Sequence, residues 1–177
     1  MISQAIFNTA LRFGIGFTAL QAMLLLLSRW MDLNPYGALR MWPLYMLPVF
    51  IFLGLRYLKQ FEVGKNLSYS SAFRTGSMIT FFGSACSSML LYVFGMLAEP
   101  AVLARHQAEM KEMISLTEDQ LNDVFGQENM KRALEQMQQI TPGSIAYEDF
   151  FMKLVLGTIA ALILAFFFRT RNPQPAQ

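Results

Sequence analysis

Few residues of this chain have the types and spacing that chemistry requires. His106 is the only histidine and Cys86 the only cysteine, so we expect no metal site of the ordinary histidine–cysteine kind and no internal disulfide. A phosphate-binding glycine loop, a GxSxG nucleophile motif and an HExxH zinc motif are all absent from the sequence. Glu99, beside Pro100, is the one acid at a position where it could matter. The sequence therefore predicts no enzymatic activity, no catalytic residue, no cofactor and no metal site.

The most unusual polar stretch is TGSMITFFGSACSS, residues 75–88, which lies inside an apolar run. Its glycines and hydroxyls either line a polar pathway or allow helices to pack closely. Small residues four apart share one face of an α-helix, and close approach at such residues supplies much of the association between helices in lipid. We therefore predict packing seams at Gly14, Thr18, Gly76, Thr80, Gly83, Ser84, Ser88, Gly157, Ala161 and Ala165. Leu91, by contrast, is expected to face lipid.

The polar pathway is the alternative, in the form of an oligomeric small transporter or channel subunit with its path along the third span. A water-filled path in so short a chain would require several copies around an axis and would normally show ionisable groups deep in the spans. We identify no such group, and Gln21 is the only amide well inside the first span. Packing is therefore preferred to conduction.

The elements that must position these residues are four apolar segments. Of the 177 residues, 54% are hydrophobic and 15% are charged, and the apolar residues are clustered rather than spread. The blocks at about 5–27, 41–58, 72–97 and 150–168 are each long enough for a helix to cross a bilayer. The sequence predicts an all-α fold: an integral membrane four-helix bundle that forms a single domain over residues 1–177.

Basic residues set the expected orientation of this bundle. The short connection between the second and third spans carries Arg56, Lys59, Lys65 and Arg74, which are the candidate contacts for anionic lipid headgroups. The tail at 169–177 is also basic, whereas the acids concentrate between the third and fourth spans. We expect both termini in the cytoplasm of a bacterium, with the chain in the inner membrane.

An insertion at 99–145 separates the third and fourth spans and has the pattern of amphipathic helices. TEDQ at 117–120 matches a capping box, and Thr141, Pro142 and Gly143 are expected to stop the last helical stretch. Its apolar stripes either cap the bundle or grip a partner, because methionine-rich faces repack easily. The candidate partner surface consists of Met110, Met113, Met130, Leu134 and Met137.

These features favour an interaction or accessory protein that acts through its outer insertion. The expected partners are the lipid bilayer and another membrane or periplasmic protein. Nucleic acid is not expected, because the net charge is only +2 and no nucleic-acid motif is present. The sequence leaves the oligomeric state open.

The order of several short motifs resembles the domain of unknown function 4199 family of bacterial membrane proteins. RFGIGF lies in the first span, GLRYLKQF ends the second, and LSYSSAFRTG leads into the third. EP closes the third span, TEDQ lies in the insertion, and LGTIAALILAFF forms the last span. The resemblance runs from about Arg12 to Arg171. It implies a short four-span protein of the Bacteroidetes type, with no assigned activity and no catalytic residue to carry over.

Overall fold

Long helices dominate the computed structural model, which describes residues 4–62, 66–97, 100–116, 128 and 140–170. The helices are α1 (Gln4–Trp30), α2 (Trp42–Tyr57), α3 (Tyr69–Leu97), α4 (Pro100–Leu116) and α5 (Pro142–Phe168). A short 3-10 turn, Ala38–Met41, precedes α2, and a π-helical turn, Leu58–Glu62, follows it. No strand occurs among these residues, and the predicted all-α class is confirmed.

Four of the helical segments are long and apolar enough to cross a membrane. They are Gln4–Trp30, Leu39–Phe61, Tyr69–Leu97 and Pro142–Phe168, which contain α1, α2, α3 and α5. The chain is therefore a multi-pass membrane protein. We call the end of the bundle that carries α4 and the α1–α2 connection the α4 end, and the opposite end, with the α2–α3 connection, the terminal end.

The start of α5 differs from the sequence prediction. The helix begins at Pro142, well before the apolar block that starts at about 150. Thr141 is its N-cap: the Ser144 amide donates to Thr141 Oγ1 at 3.1 Å, and the Thr141 amide donates to Ser144 Oγ at 2.9 Å. The sequence predicts a helix stop at Thr141 and Pro142, but a capping threonine followed by proline is also a start signal. The capping box predicted at 117–120 lies outside the described residues.

Glycines on α3 and α5 allow the two helices to approach closely. A Cβ on Gly76 would lie 2.8 Å from Ala161 Cβ, and one on Gly157 would lie 2.5 Å from Thr80 Cγ2. Ala161 and Thr80 are themselves fully buried. These contacts leave no room for a side chain at either glycine, so the α3–α5 contact depends on both.

The α1–α3 contact has the same character. A Cβ on Gly14 would lie 3.1 Å from the backbone nitrogen of Gly83, and one on Gly83 would lie 3.0 Å from the Phe17 ring. Thr18, also a predicted seam residue, donates its hydroxyl to the Gly14 carbonyl oxygen at 3.0 Å. α3 therefore packs closely against both α1 and α5.

Leu91 does not face lipid, and that expectation is wrong. Its side chain is fully buried in an apolar cluster with Leu25, Tyr36 and Ile145, against which Leu103 of α4 also packs. This cluster lies at the α4 end and fastens α4 to the bundle.

The seam generates a stability prediction. Gly76→Leu and Gly157→Leu should each lower the free energy of unfolding by about 1–3 kcal/mol, because the new side chains force α3 and α5 apart. Ala19→Leu is the matched control, since Ala19 lies on the exposed face of α1. Thermal unfolding of the purified protein in detergent measures the effect. Equal losses at Ala19 and at the two glycines would contradict the packing role.

Candidate functional site

Asp149 and Lys153 form an ion pair inside the four-span bundle. The two residues lie four apart on α5, and Lys153 Nζ donates to Asp149 Oδ2 at 2.6 Å. Only 5% of the Asp149 side chain and 1% of the Lys153 side chain are exposed. Both charges are therefore withdrawn from the surface of the bundle.

Helices α1 and α3 supply the remaining partners of this pair. Lys153 Nζ also donates to Gln21 Oε1 at 2.6 Å and to Ser87 Oγ at 3.1 Å, so all three ammonium hydrogens are used. Ser88 Oγ donates to Asp149 Oδ2 at 2.7 Å. We call these five residues, Gln21, Ser87, Ser88, Asp149 and Lys153, the buried polar cluster.

The depth of the cluster makes it energetically unusual. At about 1.5 Å of rise per residue, Lys153 lies about 16 Å along a helix that is about 40 Å long. An aspartate or lysine at the centre of a membrane helix costs about 2.5–3.5 kcal/mol on insertion scales, and the cost is smaller nearer the helix end, where Asp149 lies. Breaking such a pair by removing one partner leaves the other charge buried and unpaired, which is strongly destabilising. The hydrogen bonds of the cluster offset this cost.

Sequence reasoning missed the cluster. The expectation that no ionisable group lies deep in the spans is wrong, because Lys153 lies inside the predicted fourth span and is buried there. Asp149 falls between the predicted insertion at 99–145 and the predicted span at 150–168, and neither residue is among the predicted site residues. Ser88 was interpreted only as a small packing residue, but it also binds the Asp149 carboxylate. The available signal was the spacing of four between Asp149 and Lys153, which places both on one helical face.

A row of buried hydroxyls continues from the cluster along α3 towards the terminal end. Ser84 and Thr80 follow Ser88 at spacings of four, and both are fully buried. Their hydroxyl oxygens have no hydrogen-bond partner within the part of the chain that is described. Other helical hydroxyls, such as those of Thr75 and Thr158, donate to the carbonyl oxygen one turn earlier. Ser84 and Thr80 are therefore a polar row whose hydrogen-bonding capacity is unused.

Arg40 links the cluster to the α4 end. A cavity of about 10 Å³, roughly the space of one water molecule, is lined by Gln21 of the cluster together with Ser28 and Arg40. Arg40 also lines a second cavity of about 530 Å³ at the α4 end. Its guanidinium donates to Glu148 Oε2 at 3.1 Å. Polar groups thus extend from the larger cavity to Lys153.

The seam residues of the sequence analysis lie largely inside the bundle. Buried members are Gly14, Gly76, Thr80, Gly83, Ser84, Ser88, Gly157, Ala161 and Ala165, and Thr18 is partly buried. Of the candidate partner surface, Met110 and Met113 line the larger cavity, whereas Met130, Leu134 and Met137 lie outside the described residues.

The candidate headgroup contacts lie at the terminal end. Arg56 and Arg74 are exposed, while Lys59 Nζ donates to the Phe168 carbonyl oxygen at 2.9 Å. Lys65 lies outside the described residues. Lys59 therefore caps the carboxyl end of α5 as well as standing near the surface.

His106 is held in a polar contact at the α4 end. Its Nδ1 accepts from the Asn34 side-chain amide at 3.1 Å, and burial of the ring, then the nearby Arg40 guanidinium, lower the pKa of His106 below its ordinary value. Within the described ranges, no group of three histidine, cysteine, aspartate or glutamate side chains is placed to hold a metal ion.

Comparison with known proteins yields one family. The family model described as "Protein of unknown function (DUF4199)" matches residues 12–170, which confirms the resemblance that the sequence motifs indicated. No curated protein and no solved structure matches the chain.

Alanine substitutions at two serines of α3 test whether hydrogen bonds of the buried polar cluster stabilise the protein. Ser88→Ala should lower the free energy of unfolding by about 1–3 kcal/mol, because it removes a hydrogen bond to a buried carboxylate. Ser84→Ala should leave the free energy of unfolding unchanged or raise it, because the Ser84 hydroxyl is buried without a partner among the described residues. Unfolding of both variants in the same detergent measures the difference. The packing role alone predicts that the two variants behave alike.

Proposed function

We propose that this chain, which belongs to the DUF4199 family of proteins of unknown function, is a proton-handling membrane protein of the transport class. In this proposal the Asp149 carboxylate takes up the proton and releases it, while Lys153 remains its ammonium partner. The observation that carries the proposal is the burial of this pair inside the bundle, with hydrogen bonds from α1, α3 and α5. No covalent reaction on a substrate is involved, in keeping with the absence of enzyme motifs from the sequence.

A purely structural role explains the pair poorly. Replacing a buried ion pair with apolar residues of similar size is often neutral or stabilising, so stability alone does not require one. Ionisable residues inside membrane bundles commonly mark ion pathways and proton relays. The seam glycines already account for close packing of α3 against α1 and α5.

The close packing around Lys153 favours the proton over larger ions. Lys153 Nζ lies 5.6 Å from the centroid of the Phe17 ring, and Phe17 is fully buried. A proton needs only a chain of hydrogen-bonding groups, and the carboxylate, ammonium and hydroxyl groups of the cluster form one. A hydrated metal ion would need the helices to separate.

Polar groups on both sides of the cluster suit a proton path. Gln21 and Arg40 lead towards the larger cavity at the α4 end. Ser84 and Thr80 lead towards the terminal end, and their hydroxyls have no hydrogen-bond partner among the described residues. A transporter or channel with its path along the third span is the alternative function of the sequence analysis. Asp149 and Lys153 are the ionisable groups that such a path requires.

A role in partner binding is a second candidate. On α4, 66% of Met113 and 80% of Leu116 are exposed, which leaves apolar surface for a protein partner.

The orientation with both termini in the cytoplasm of a bacterial inner membrane is also a proposal, and the asymmetry of Lys and Arg supports it.

Proton movement into liposomes tests the main proposal. The purified protein is reconstituted with a pH-sensitive dye inside, and a potassium diffusion potential drives protons inwards. The double variant Asp149→Asn/Lys153→Met is compared with wild type, because single changes would leave an unpaired buried charge. We expect the double variant to lower the rate at least about tenfold, the factor that corresponds to about 1.4 kcal/mol in a barrier.

Lys59→Met is the matched control, since it removes a lysine from the terminal end of the same bundle. It should keep the wild-type rate. Size-exclusion chromatography establishes that both variants are folded. A wild-type rate equal to that of protein-free liposomes, or an unchanged rate in the double variant, would contradict the proposal.

A further inference from the structure

The larger cavity at the α4 end has the size and lining of a ligand site. Its volume is about 530 Å³, within the range of about 300–1,000 Å³ that is usual for small-molecule sites. It lies between α4, the connection from α1 to α2, and the first turns of α5. The buried polar cluster does not line it, so the cavity is a separate feature.

One cation and two carboxylates face this cavity. Arg40, whose side chain is only 9% exposed, pairs with Glu148 of α5 at 3.1 Å. On α4, Glu109 accepts hydrogen bonds from Asn34 Nδ2 at 2.6 Å and from Arg105 Nε at 3.0 Å. Groups of opposite sign thus meet the same space from different elements.

The protonation states of the α4 residues are fixed by their contacts. The hydrogen bond from Asn34 chiefly holds the pKa of Glu109 below its ordinary value, so Glu109 is a carboxylate at neutral pH. Burial lowers the pKa of His106, so its ring is neutral and adds no second cation. Arg40 is therefore the one cationic group among the described residues that line the cavity.

The remaining lining is largely apolar. Met110 and Met113 of α4, Met41 at the start of α2, and Ile140 and Ile145 beside the start of α5 provide it. Methionine side chains adapt readily to flexible chains. The cavity therefore combines a zwitterionic region with an apolar wall.

Exposed aromatic residues mark the depth of the cavity. Trp30, Trp42, Tyr45 and Tyr147 lie at this end of the spans, with 84%, 55%, 69% and 66% exposure respectively. Tryptophan and tyrosine concentrate where the membrane meets water, at the level of the lipid headgroups. The charged region of the cavity thus lies at headgroup depth.

We propose that this cavity binds the headgroup of a zwitterionic phospholipid with a primary ammonium, of the phosphatidylethanolamine type. Arg40 pairs with the phosphate, which suits the planar fork of a guanidinium. Glu109 and Glu148 accept hydrogen bonds from the ammonium, and the methionines contact the glycerol and the upper acyl chains. The ligand replaces the Arg40–Glu148 pair, so both charges keep a partner.

The proposed site distinguishes the ethanolamine headgroup from two other phospholipid headgroups. A choline headgroup has the same charges but no N–H, so it cannot donate to the two carboxylates. A phosphatidylglycerol headgroup has no ammonium and places only negative charge near Glu109 and Glu148. The inference does not depend on proton movement, because it concerns binding at a different set of residues.

Native mass spectrometry of the full chain in detergent tests the site. Phosphatidylethanolamine, phosphatidylcholine and phosphatidylglycerol with identical acyl chains are titrated separately, and soluble glycerophosphoethanolamine forms a fourth arm. We expect the ethanolamine lipid to bind at least about tenfold more tightly than the other two lipids, as expected for charge-assisted hydrogen bonds. The soluble compound should bind far more weakly, because it lacks acyl chains.

Two kinds of variant localise the binding. Glu148→Gln should reduce the preference for ethanolamine over choline, because only Glu109 then remains as a charged acceptor. Met110→Trp should weaken the binding of all three lipids by filling the cavity. Arg169→Gln is the matched control, because it removes an arginine from the terminal end, where the guanidinium stacks on Phe166. It should bind as wild type does.

Several outcomes would overturn the proposal. Equal binding of the three lipids, tighter binding of phosphatidylglycerol, or an unchanged preference in folded Glu148→Gln would each show that the cavity does not select this headgroup. Binding of soluble glycerophosphoethanolamine as tightly as the lipid would overturn the assignment to a membrane lipid.

Discussion

A charge inside a bilayer must find its partners within the protein, because lipid tails offer none. Lys153 meets this requirement with Asp149 on its own helix, Gln21 on α1 and Ser87 on α3. The three helices must therefore present these groups at one depth and in one rotation. The small residues of the seams allow the backbones to come close enough for Gln21 and Ser87 to reach Lys153. The close packing of the helices and the hydrogen bonding of their buried polar groups thus depend on each other in this bundle.

At the α4 end, too, polar side chains find their hydrogen-bond partners within the protein. Asn34 accepts from the Tyr36 amide at 2.9 Å and donates to both His106 and Glu109, which ties α4 to the α1–α2 connection. A side chain at Gly95 would collide with the Tyr36 hydroxyl, so the end of α3 is also held there. Arg40 lines both cavities, and it joins this end to the buried polar cluster.

Much of the fold could be predicted from the sequence, whereas the cluster could not. Four spans follow from the length of the apolar segments, and the family match over residues 12–170 agrees with the motif order. Lys153 stands between Met152 and Leu154, so a hydropathy average hides it. Its partners Gln21 and Ser87 are 132 and 66 residues away in the sequence, and no local pattern pairs them. The spacing of Asp149 and Lys153 was the one local signal.

The most direct test of this account is a double-mutant cycle on Asp149 and Lys153, measured as the free energy of unfolding in lipid. Asp149→Asn and Lys153→Met should each cost about 3–5 kcal/mol, because each leaves one charge buried without its partner. The double variant should cost much less than the sum of the two, which shows that the residues act as one coupled pair. Additive losses would contradict the account, because they would mean that the two charges do not depend on each other.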